Sequence, residues 1–168
     1  STVDPVLTFT VSAKGLSDSR LFFDNEVAGS GSIVFETVAS GVGLTADPAF
    51  TIRDSIGTVI DTGTITNATD PSLQASLTFN FTSRDVEITG GSSATFKIYL
   101  DSISNFNTVA NTSNGVGADY FQLVLRDNED ALINWVDNST NATSDADTAS
   151  TQGYLRNLPL SGYQFTAQ

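Results

Sequence analysis

Residues 86–101, VEITGGSSATFKIYLD, decide the fold class. Val86 and Ile88 alternate with Glu87 and Thr89, and Phe96, Ile98 and Leu100 alternate with Thr95, Lys97 and Tyr99. Period-two alternation on both sides of Gly90-Gly91-Ser92-Ser93 predicts two strands joined by a tight turn, a hairpin. One face meets a core and the other water, as in an antiparallel sheet.

The same pattern recurs outward in both directions. Leu77, Phe79 and Phe81 share one face of a strand predicted over 73–82, with Thr78, Asn80 and Thr82 on the other. Phe50 and Ile52 lead into Asp54-Ser55-Ile56-Gly57, a four-residue turn with Asp first and Gly last, and 58–65 returns. Residues 32–40 form a strand with Ile33 and Phe35 inward, and Leu21-Phe22-Phe23 is a short apolar run before them. Downstream, Phe121, Leu123 and Leu125 mark a strand, and 131–136 returns with the chain's one tryptophan, Trp135. Segments 153–158 and 162–166 close the chain, while 41–48, 66–71, 102–117 and 137–151 read as polar loops. Short strands separated by turn signals spell an all-β antiparallel sandwich with little helix.

The first residues, STVDPVLTFTVS, stand somewhat apart. Pro5 at the start suits an edge or added strand, because it cannot donate to a ladder. Leu7, Phe9 and Val11 then face one way and Thr8, Thr10 and Ser12 the other. Residues 13–20 are polar and turn-prone, a linker. The organisation read from this is an N-terminal strand over 1–13 and a β-sandwich domain over 14–168. An ordinary first strand and a strand lent to a neighbour both satisfy the pattern.

With 168 residues the chain is long enough for one domain with its own core. It lacks Cys, so it has no disulfide framework or thiolate site, and it lacks His, the commonest general base and metal ligand. The net charge is −12, and the seven cations are scattered, so there is no basic patch for nucleic acid or an anionic membrane. No run is long and apolar enough to insert in a membrane. The absence of Met marks a processed product or an excerpt, with Ser1 read as the residue left after a leader was removed.

Each candidate for chemistry has a structural counterpart. Glu26, Glu36, Glu87 and Glu129 could supply a glycosidase pair, but acids in turns and on outward positions read as a solvated surface. Asp127, Glu129 and Asp130 within one turn are the calcium candidates, without the spacing of a calcium loop. Asp137, Asp145 and Asp147 form a second oxygen-rich stretch. No other cofactor is called for. Asn67, Asn80, Asn111, Asn138 and Asn141 each open an Asn-x-Ser/Thr acceptor for a glycan. Lys14 or Lys97 could enter an internal isopeptide bond, which needs a buried site. Trp135 and Tyr120 could form a sugar platform, although a lone Trp in a sandwich is more often core.

The succession FTIRDSIGTVIDTG, LTFNFT and VEITGGSSATFKIYLD resembles the immunoglobulin-like β-sandwich repeats of bacterial cell-surface proteins, notably large secreted proteins of candidate-phylum bacteria. The tail YLRNLPLSGYQFT and the opening TVDPVLTFTVSA are similar to the closing and opening strands of such proteins. The resemblance implies an immunoglobulin-like or jelly-roll-type sandwich, secretion, and a structural or adhesive role at the cell surface. It carries over no catalytic residue. The alternating Leu7, Phe9 and Val11 ahead of a flexible linker also resemble pilin-like filaments, whose subunits lend an N-terminal strand to a neighbour. That resemblance implies a homopolymer with Leu7, Phe9 and Val11 at the subunit interface. The expected function is a non-enzymatic structural subunit of an extracellular filament. The alternative is a monomeric carbohydrate-binding or adhesion module.

Overall fold

The computed structural model describes residues 4–18, 20–23, 31–40, 43–44, 49–66, 76–82, 84–101, 106–107, 120–125, 133–137, 146–149, 160–163 and 165–166. Among these the protein is all-β, every pairing is antiparallel, and no helix occurs.

The strands are β1 (Leu7–Ser12), β2 (Arg20–Phe23), β3 (Ser32–Ser40), β4 (Gly43–Leu44), β5 (Ala49–Arg53), β6 (Val59–Thr66), β7 (Ser76–Phe79) and β8 (Val86–Thr89). They continue as β9 (Ser93–Leu100), β10 (Phe106–Asn107), β11 (Tyr120–Leu125), β12 (Ile133–Asp137), β13 (Ala146–Ala149), β14 (Leu160–Ser161) and β15 (Phe165–Thr166). Thirteen of them form one sheet whose main path runs β1-β9-β5-β6-β7-β3-β12-β2-β8. β3 is its crossroads, pairing with β7 along one side and with β12 and β11 along the other.

The decisive stretch forms its two strands and its turn, but not a hairpin. Ser92 N donates to Thr89 O at 2.9 Å, and Gly91 adopts φ +80°, as the third position of a type II turn requires. β8 then pairs with β2, and β9 pairs with β1 and β5. The sheet is folded over on itself, so β8 and β9 belong to opposite ends of its path. The segment from β1 to β2 runs antiparallel to the segment from β8 to β9, so two ribbons cross together from one end to the other. Their pairing extends to the turn, with Ala13 N donating to Ser92 O at 3.1 Å and Gly91 N to Ala13 O at 2.8 Å.

Polar segments also hide strands. β4 and β10 pair with each other inside stretches read as loops, and β13 pairs with β12 inside a third. Main-chain pairing makes these strands, and polar sequences leave no hydrophobic alternation to betray them.

The core is aromatic. Phe23, Phe35, Phe50, Phe79, Phe81 and Phe96 are fully buried. Phe96 stacks on Phe9 at 5.3 Å and meets Phe23 and Phe81 edge-on at 6.2 and 6.4 Å, joining strands remote along the sheet. Such offset and edge contacts are the favoured aromatic geometries. Replacing Phe96 by Ala should therefore lower stability in urea titration by about 3–5 kcal/mol. Ile56→Ser, at a turn position that is 86% exposed, should stay within about 0.5 kcal/mol of the parent.

Candidate functional site

The first strand occupies a built seat. Leu7 and Phe9 are buried, Val11 is partly buried, and Thr8, Thr10 and Ser12 are exposed, so the alternation seen in the sequence becomes the two faces of β1. The Phe9 ring lies between Phe96 and Phe35, whose centroid is 5.7 Å away in edge geometry. Val6, just outside the strand, is also buried. Full burial of such side chains is worth about 1.5–3 kcal/mol each.

The pairing of β1 is one-sided. β9 accompanies it from Leu7↔Ile98 to Ser12↔Ser93, and among the described residues no second strand pairs with it. Thr10 and Thr95 face each other with their hydroxyl oxygens 3.0 Å apart. At the start of the strand, Val6 N donates to Ile98 O at 2.7 Å, and Tyr163 N donates to Val6 O at 3.0 Å. Gly162 sits beneath this point, its N donating to Leu123 O at 2.8 Å and its O accepting from Gln122 Nε2 at 2.8 Å. Beyond Ala13, residues 14–18 are all exposed, with Leu16 at 77%.

A second constellation centres on Asp61, which sequence reading did not single out. The register shifts between Ile52 and Arg53, giving β6 one extra residue: Asp61 faces Ile52, Val59 faces Arg53, and Ile60 is the bulge. Ile60 and Asp61 are consequently both buried. Asp61 Oδ2 accepts from Asn80 N at 3.0 Å and Phe81 N at 2.8 Å, and Oδ1 accepts from the Thr82 hydroxyl at 3.2 Å. This clamp ends β7 at Phe79, where alternation alone continues the strand to Thr82. It also holds Phe81 at φ +53°, a costly conformation for a bulky residue. The turned backbone still delivers the Phe81 ring to the core, stacked on Phe23 at 4.6 Å.

The remaining candidates disperse. Among the sequons only Asn80 lies in the described residues; it is exposed, while the two residues after it are tied to Asp61. Asn67, Asn111, Asn138 and Asn141 lie outside the described residues, as do Glu26, the calcium candidates Asp127, Glu129 and Asp130, and Asp145. Asp137 ends β12 and Asp147 lies on β13. Glu36 is buried on β3 and Glu87 is exposed on β8, strands that are not neighbours, and Glu87 pairs with Arg20 at 3.0 Å. Lys14 is exposed, and Lys97 donates to Ser55 O at 3.3 Å in an exposed contact, not the buried setting an isopeptide bond needs. Trp135 is partly buried and packs against the core.

An open depression of about 370 Å³ lies between β8, β9 and the turn after β5, with Asp54, Arg84, Glu87 and Phe96 in its lining. Its acids are engaged: Asp54 Oδ1 accepts from Ile56 N at 3.1 Å and Thr58 N at 2.8 Å, and Glu87 holds Arg20. Among the described residues no group of three or more His, Cys, Asp or Glu could hold a metal ion, and no helix is long and apolar enough to cross a membrane. Comparison with family models, with curated proteins and with solved structures finds no match to this chain.

Asp61→Ala removes the acceptor from two main-chain N–H groups and should cost about 3 kcal/mol or more in chemical denaturation. Asp61→Asn, which retains an acceptor oxygen, should cost less. Equal losses for the two would contradict the clamp.

Proposed function

We propose that the protein is a non-enzymatic structural subunit of an extracellular surface assembly, a filament in which residues 1–13 of one copy are seated in the next. The observation that carries this is the construction of β1. It is the first strand described, it supplies the core with Leu7 and Phe9 beside Val6, it is paired along one side among the described residues, and exposed residues 14–18 follow it. Such a strand can leave its own chain and make identical contacts in another, the low-cost route of strand exchange. Head-to-tail exchange is heterologous and propagates without closing. The paired ribbons, β1–β2 along β8–β9, support the finer assignment of the doubled sheet to an immunoglobulin-like or jelly-roll-type sandwich. The exposed Asn80 is compatible with a glycan on the outer surface.

One observation favours a second reading. β1 is seated against β9 of its own chain, so the core is complete within one copy, as in a monomeric carbohydrate-binding or adhesion module.

Electron microscopy and sedimentation of the concentrated full chain separate the two. The first reading expects filaments, their loss on deletion of residues 1–13, and capping of the deleted chain by a synthetic 1–13 peptide. A full chain that stays monomeric at millimolar concentration supports the second.

A further inference from the structure

Gly162 is a glycine for an unusual reason. Its φ lies outside the left-handed region, so turn geometry alone admits other residues there. What forbids them is β1. A Cβ at position 162 would stand 2.6 Å from Val6 O, 3.3 Å from Leu7 Cβ and 3.4 Å from Leu123 O. The closest of these is a main-chain atom that cannot rotate away, so either the 160–163 segment or a neighbouring strand must shift. β11 is held by β3, β14 and β15, whereas among the described residues β1 pairs with β9 only, and Val6 O at its entry accepts from Tyr163 N. A side chain at 162 therefore forces apart the start of β1 and the 162–163 segment that bonds it.

We propose that Gly162 is the acceptor-side determinant of strand exchange: its missing side chain admits residues 6 and 7 of an incoming strand. The inference rests on the strand-donation reading and adds which residue of the receiving copy decides reception. It gives the exchange a direction. A chain with a side chain at 162 can give its own β1 but cannot receive one. Phe9→Asp makes the converse chain, with an intact seat and a strand that carries a charge into an aromatic site, where an unpaired carboxylate is strongly disfavoured.

The test uses three full-length proteins: the parent, Gly162→Val and Phe9→Asp. The parent is expected to form filaments, and each variant alone is expected to lose elongation. An equimolar mixture of the variants is expected to yield a one-to-one heterodimer by size exclusion and native mass spectrometry, because the intact strand of one fits the intact seat of the other. Filaments formed by Gly162→Val as readily as by the parent would overturn the inference. So would a polymerising parent whose variants form no heterodimer, since Gly162 would then serve folding alone. A parent that stays monomeric sinks strand donation itself, and with it the acceptor role. Hydrogen exchange of the same monomers then reads the steric part: faster exchange confined to residues 6–12 in Gly162→Val, and absent from Ser161→Ala, supports clearance for β1, whereas unchanged protection overturns it.

Discussion

Phe96 ties the paired strands β1 and β9 to parts of the chain that, among the described residues, no main-chain pairing joins to them. Its ring touches Phe9 from the first strand, Phe23 from the second, and Phe81 from the turn after β7. β1 and β2 lie far apart along the hydrogen-bonded path, so this cluster fastens the doubled sheet across its interior. A sheet of this length with unfastened ends would leave apolar faces in water. The dependence also explains the position of β1: removal of Phe9 exposes the Phe96 ring on which the others converge.

Fastening by rings needs the backbone to deliver them, and Asp61 does this for Phe81. The bulge at Ile60 turns the Asp61 carboxylate inward, and the carboxylate stabilises a backbone bend that Phe81 would not otherwise adopt. Gly162 performs a steric counterpart beside the start of β1, where Val6 comes closer than any side chain permits. Sheet edges are otherwise hazards for uncontrolled pairing. Thr8, Thr10 and Ser12 keep the outward face of β1 polar, and Arg20 of β2 pairs with Glu87 of β8.

Much of the strand content is legible because a half-buried strand writes its burial in period two. Leu7 and Phe9, Ile33 and Phe35, Phe50 and Ile52, and Phe96 and Ile98 are inward in the sequence and buried in the structure. The turn of Asp54 and Gly57 is equally legible, since Gly57 N donates to Asp54 O at 3.1 Å and Asp54 caps the turn with its side chain. What alternation cannot carry is partnership. Val86 to Thr89 and Ser93 to Leu100 read as a hairpin because they adjoin in sequence, yet each finds its partner elsewhere. A bulge is likewise invisible, because one inserted residue leaves composition unchanged while it reverses the faces of Val59 and Ile60. The Gly162 contact had no local signal at all, since its cause is a residue more than a hundred positions away.

In the proposed filament β1 is seated in a neighbouring copy. Thr10 and Thr95 lie opposite each other on β1 and β9, and the chain contains no cysteine to compete, so Thr10→Cys with Thr95→Cys marks the seat with a single bond. After assembly and mild oxidation, denaturing electrophoresis without reductant should show a ladder of covalent oligomers that reductant collapses to one band. A single intrachain-closed monomer under the same conditions would contradict strand donation and leave β1 as the ordinary first strand of a self-contained domain.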